Sequence, residues 1–209
     1  MNGMQVDEII FCDTGKDFPQ MTKHVNKVEK YISQHYGKKI TRLKSDKSFD
    51  YYMYEHIKTK GKNKGGKGYG WATMRCRWCT TLLKTRVIDN YLKNLNEDYI
   101  EYIGIAADEE KRIGTKKYPL VEWNMTEADC LKYCYDLGFD WDGLYEHFDR
   151  VSCWCCPLKN QKELKILWEH YPELWAQLKE MDKRSYNEFK RGYTVDDLED
   201  KFRRDKGAS

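Results

Sequence analysis

Asp7-Glu8-Ile9-Ile10-Phe11-Cys12-Asp13-Thr14-Gly15-Lys16-Asp17-Phe18-Pro19 is the stretch that decides the fold class. The run Ile9 to Cys12 is short, wholly apolar and halted by a polar Asp-Thr-Gly turn, which reads as a buried strand. Pro19 suits the first turn of a helix, where its missing N–H has no partner to lose. Met21, Val25, Val28 and Ile32 then share one helical face, and Gly37 supplies the stop. Ile40-Thr41-Arg42-Leu43 is a second short strand. Strand, helix, strand in this order predicts a parallel pair joined by a crossover helix.

Working outward, a helix is expected over Phe49 to Ile57, then a Lys/Gly loop to about Gly70. Leu82, Leu83, Val87, Ile88, Tyr91, Leu92 and Leu95 form the apolar stripe of a helix from Cys79 to Leu95. Tyr99-Ile100-Glu101-Tyr102-Ile103-Gly104-Ile105 reads as a third strand. Thr126 with Asp129 marks a capped helix start and Gly138 its stop. Beyond Pro157 the pattern is helical through Leu164, Leu167, Trp168, Leu174, Trp175, Leu178 and Met181. Thr194 to Asp197 starts a last helix, with Arg203 to Ser209 expected to fray. The fold class is therefore α/β: a parallel twisted sheet flanked by helices over 1–158, with a helical C-terminal extension over 159–209. Parallel sheets bind ligands beyond the carboxyl ends of their strands, where Asp13-Thr14-Gly15 and the segment from Gly104 to Arg112 are expected.

Among 209 residues, 16 Tyr, 7 Trp and 7 Phe supply too much buriable surface for a disordered chain. A mean hydropathy of −0.89, with no apolar run near the ~18 residues of a spanning helix, excludes a membrane helix. Met1 to Glu8 lacks the basic-then-apolar pattern of a signal peptide. A soluble cytoplasmic protein is expected, so the eight cysteines are not read as disulfides. The balance of 37 Lys+Arg against 34 Asp+Glu gives only +3, but its distribution is uneven. From His56 to Ile88 there is no acid, while Lys58, Lys60, Lys62, Lys64, Lys67, Arg75, Arg77, Lys84 and Arg86 all occur. That segment reads as a polyanion site or as a solvated flexible loop.

The sharpest chemical signal is in the cysteines. Cys76-Arg77-Trp78-Cys79 is one CxxC pair, and Cys153-Trp154-Cys155-Cys156 contains a second. Each pair can grip a metal from one side, and four thiolates suit either tetrahedral zinc or a 4Fe-4S cluster. A reactive redox pair, or cysteines packed as small hydrophobes, are the other readings. Cys155 competes with Cys156, both lying one turn from Cys153. Cys12, Cys130 and Cys134 fall in apolar patterns and read as core. Trp71, Trp78 and Trp154 would keep water from the site. Asp13-Thr14-Gly15 suits a ribose or phosphate contact or a helix cap. Gly104 to Arg112 suits a pocket rim or an exposed charged turn.

In order along the chain, these pieces resemble the phosphoadenosine phosphosulfate (PAPS) reductase family of the adenine nucleotide α-hydrolase superfamily. The resemblance rests on five segments within residues 7–158. They are Asp13 to Pro19, Arg75 to Lys84, Gly104 to Arg112, Tyr118-Pro119-Leu120-Val121-Glu122-Trp123 with Asn124-Met125-Thr126, and Arg150 to Pro157. It is strongest to phage and mobile-element members with iron–sulfur sites. It implies a Rossmann-like fold, nucleotide-linked sulfur transfer and a 4Fe-4S cluster on Cys76, Cys79, Cys153 and Cys156, with zinc second. It further implies an adenine nucleotide near Asp13, Thr14, Gly15 and Gly104, its anion on Lys62, Lys64, Lys67 and Arg112. The family's SGGKDS phosphate loop does not occur in this sequence, nor does its Glu-Cys-Gly-x-His motif. The family's Arg and Ser in the third segment are Ala106 and Glu110. PAPS reduction by thiol attack is therefore not expected. A binding module without catalysis, for a nucleic acid or a partner protein, is the alternative.

Overall fold

The structure, a computed structural model, describes residues 4–207. β1 (Ile9–Asp13) and β2 (Ile40–Lys44) run parallel, Ile9 opposite Ile40 and Asp13 opposite Lys44. Parallel neighbours need a crossover, and α1 (Pro19–Tyr36) provides it. Pro19 sits in its first turn. Gly37 stops the helix at φ 63°, its amide donating to the Ser33 carbonyl at 3.0 Å. Asp13 and Lys44 close the carboxyl end with a 3.5 Å ion pair. The reading of β1, α1 and β2 is thus seen directly, and the chain is mixed α/β.

The third strand expected over Tyr99 to Ile105 does not form; among the described residues the sheet has two strands. Tyr102 makes one isolated bridge to Lys117, and the Ile103 amide donates to the Lys117 carbonyl at 2.9 Å. The reason is burial. Tyr99 is 51% and Ile100 66% exposed, so no layer covers this run and nothing draws it against β1 or β2. Gly104 to Arg112 therefore does not follow a sheet strand.

The expected helix from Cys79 is continuous but has three parts: α2 (Trp78–Thr80), a π-helical turn (Thr81–Thr85) and α3 (Arg86–Lys93). The wider turn re-phases the stripe, so that the adjacent Leu82 and Leu83 are both buried. A second π-turn, Tyr51–Glu55, lies within the helix expected from Phe49. The Lys/Gly segment is a hairpin rather than an open loop. Ile57 bridges Lys67, and Lys58 and Gly65–Gly66 exchange backbone bonds of 2.8 and 2.9 Å.

Short α4 (Pro119–Glu122) precedes α5 (Glu127–Asp136), whose start is fixed by the reciprocal Thr126–Asp129 capping box, worth about 1 kcal/mol. After α6 (Leu144–His147) come α7 (Gln161–His170), α8 (Pro172–Arg184) and α9 (Val195–Gly207). Fraying from Arg203 is corrected as far as Gly207. Arg203 stays helical because its guanidinium holds Glu199, one turn earlier, at 2.6 and 3.1 Å. Ala208 and Ser209 lie outside the described residues. One core cluster joins the strand end to these helices: Phe18, Trp78, Trp154, Leu164, Leu167, Leu178 and Leu198 all belong to it.

Candidate functional site

The two cysteine pairs are positioned by different devices. Cys79 rides the first turn of α2, while Cys76 sits in a small closed loop, exchanging two 3.1 Å backbone bonds with Thr73. Cys153 and Cys156 are brought to one side by a tight turn, the Cys156 amide donating to the Cys153 carbonyl at 3.2 Å. Cys156 lies close enough to act electrostatically on both Cys79 and Cys153. Burial, with Cys156 adding to it, pushes the Cys79 thiol up. Burial pushes Cys153 up to about 11, and Cys155, 1% exposed, is also pushed well up by burial and by Cys153. Cys76 is exposed. Cys12, Cys130 and Cys134 are half-buried, and the Cys12 thiol donates to the Leu83 carbonyl at 3.0 Å.

Cations surround the buried thiols. Lys159, whose side chain is 1% exposed, has no hydrogen-bond partner for its Nζ among the described residues; Glu163 stands 3.8 Å away, beyond hydrogen-bond reach. It lies over the Phe148 ring and feels Cys156, Cys153 and Cys155, while burial lowers its pKa. Lys190 is held by the Pro157 carbonyl at 2.7 Å and also feels Cys156. Lys16 is drawn in by Asp50 at 3.0 Å and by the Phe49 and Trp154 rings, and acts on Cys155. Nothing in the local sequence marks Lys159, which reads as an ordinary charge ahead of the Asn160 cap.

In donor type alone, four cysteine sulfurs suit a thiolate-held metal group. The donors are soft, Cys79, Cys153 and Cys156 half-buried and Cys76 exposed, and a buried ammonium without a hydrogen bond lies within their electrostatic reach, which costs stability unless negative charge comes to meet it. The thiols are neighbours rather than gathered on one point: among the described residues no three Cys, His, Asp or Glu side chains stand in ion-holding positions.

The strand-end turn belongs to the same site. The Thr14 hydroxyl lies 3.7 Å from Cys153 Sγ, and the Trp154 amide donates to the Lys16 carbonyl at 3.1 Å. Asp13 accepts from the Gly15 amide at 2.7 Å and pairs with Lys44. The other expected anion contacts are elsewhere. Arg112 pairs with Glu109, which Arg150 also approaches at 3.7 Å. Among the described residues no hydrogen bond or ion pair joins Gly104 or Arg112 to Asp13, Thr14 or Gly15. Lys62, Lys64 and Lys67 stand exposed on the hairpin.

No family model and no solved structure matches the chain. It is similar to two proteins of Methanocaldococcus jannaschii, both described as uncharacterized. MJ0066 is 26% identical over 189 residues, covering 83% of this chain and 35% of that protein. MJ0973 is 26% identical over 205 residues, covering 91% and 44%. The chain thus spans less than half the length of these curated relatives. Among the described residues no helix is long and apolar enough to cross a membrane.

Proposed function

We propose that the cysteine junction holds a 4Fe-4S cluster and that the chain is the cluster-bearing part of a PAPS reductase-like protein of sulfur transfer. The ligands are Cys79, Cys153 and Cys156, with Cys76 swinging in as the fourth. Lys159 carries this reading. A nearly inaccessible ammonium with no hydrogen bond, among aromatic rings and near neutral thiols, is unfavourable, whereas beside a thiolate-bound metal of net negative charge it is an ion pair. When bound, the cluster supplies one-electron chemistry at a potential set by its surroundings. The Thr14 hydroxyl stands 3.7 Å from the Cys153 sulfur, Lys16 and Lys190 bring positive charge to the junction, and Trp78 and Trp154 exclude water. The adenine nucleotide comes to the adjoining Asp13-Thr14-Gly15 turn.

The test is purification without oxygen, followed by iron, sulfide and zinc analysis with visible spectra. About four irons per chain are expected, retained in Cys155→Ser and lost in Cys79→Ser and Cys153→Ser. One zinc and no colour would replace the cluster with a structural brace. Absence of any metal, or equal iron in Cys79→Ser, overturns the site.

A further inference from the structure

A cleft of about 690 Å³ lies between the Lys/Gly hairpin and the segment after α8. Lys58, Lys60, Lys62 and Arg86 line it, with Tyr69, Tyr186 and Cys76, and among the described residues no acidic side chain does. Its walls are fixed. The hairpin base is tied down by amide donation from Gly68 to His56 at 2.8 Å, Tyr69 to Tyr52 at 2.9 Å and Gly70 to Met53 at 2.9 Å. Asn187 grips the Trp71 backbone from the far wall, accepting from its amide at 2.8 Å and donating to its carbonyl at 3.2 Å. The ring of Tyr186, 63% exposed, is pinned as well. Its hydroxyl donates to the Tyr69 carbonyl at 2.7 Å and accepts from Lys58 Nζ at 3.0 Å.

We infer that this cleft binds a single-stranded nucleic acid. Cations spread along a hairpin match phosphates repeated along a backbone, and a rigid exposed ring offers a base a stacking surface. A free nucleotide finds no Gly-rich turn opening a helix among the lining residues, and no carboxylate to hold its magnesium. A duplex presents its phosphates on a surface too broad for the recess, with its bases stacked out of reach of Tyr186. Lys64 and Lys67, exposed on the same hairpin, add to its positive charge. Cys76 also lines the cleft, but the groups that meet the strand are Lys58, Lys60, Lys62 and Tyr186, none of them a ligand of the proposed cluster, so the inference does not depend on a cluster at the cysteines.

The test is fluorescence anisotropy with labelled single-stranded RNA and DNA of about 12 nucleotides, a length within the reach of such grooves. The triple variant Lys58→Gln, Lys60→Gln, Lys62→Gln is compared with Lys30→Gln, Lys39→Gln, Lys93→Gln, which removes equal charge from exposed sites elsewhere. The cleft variant should lose at least about tenfold in affinity and flatten the log–log salt slope by about two, the control neither. Tyr186→Ala should lose about fivefold to a hundredfold by lost stacking, while Tyr186→Phe stays within about threefold. Whichever of RNA and DNA binds tighter identifies the sugar. Equal losses in the two triple variants, equal affinity for a duplex of the same length, or displacement by stoichiometric ATP would each overturn the inference.

Discussion

Two buried charges in this protein are treated in opposite ways. Glu199, on α9, is surrounded by donors: the Trp175 indole at 3.0 Å, Lys179 at 2.8 Å and Arg203 at 2.6 Å. Burial pushes its carboxyl up, but these hydrogen bonds outweigh it and hold the pKa down at about 2. Lys159, just before α7, has only aromatic rings and a carboxylate at 3.8 Å. Lys159 is the deeper of the two, its side chain 1% exposed against 12% for Glu199, yet it is the one with fewer partners. The helical end is electrostatically complete by itself. The cysteine junction is not, and its deficit is of negative charge.

The contrast can be broken at its stronger end first. Glu199→Ala leaves a buried indole N–H and two cations without their acceptor, and should cost about 3–5 kcal/mol in urea unfolding. A loss under about 1 kcal/mol would mean that the network contributes little. Acid gives a milder version of the same break. The native carboxyl titrates at about 2 against an ordinary 4.5, so its stabilisation is full above pH 4.5 and is lost as pH falls through about 2. The part of the acid loss belonging to this group should be on the order of 2–3 kcal/mol and should vanish in Glu199→Gln. The smallest effect has the opposite sign. Lys159→Met should raise the unfolding free energy of metal-free protein by about 1–2 kcal/mol, and the gain should disappear once metal is bound. Destabilisation of the metal-free protein instead would show that the ammonium is already satisfied.

What the sequence revealed follows the range of the forces involved. β1, α1 and β2 were legible because an apolar run, Pro19 and Gly37 act within a few residues of themselves. The run from Tyr99 to Ile105 carries the same local signal, but whether it becomes a strand depends on a covering layer that no window of sequence contains. The cysteine pairs were legible by spacing, while Lys159 and Lys190, which give the thiols their electrostatic setting, were not. The anion contacts expected from resemblance fell into three places, since order along the chain does not fix proximity. Tyr186 and Arg86 meet Lys58 only because Asn187 and Gly70 bring distant segments together.

Gly70 lets the two walls of the cleft meet because it has no side chain. A methyl group there would lie 2.0 Å from the Asn187 side-chain oxygen, and one at Gly68 would lie 2.2 Å from the Met53 carbonyl oxygen; both glycines have positive φ. The outline of the cleft is therefore written in residues that tolerate almost no replacement, whereas Lys60 and Lys62 are exposed side chains that tolerate many. Form and charge are inherited separately. Substitution at the lysines can change the charge of the recess without disturbing the close contacts at Gly68 and Gly70 that shape it.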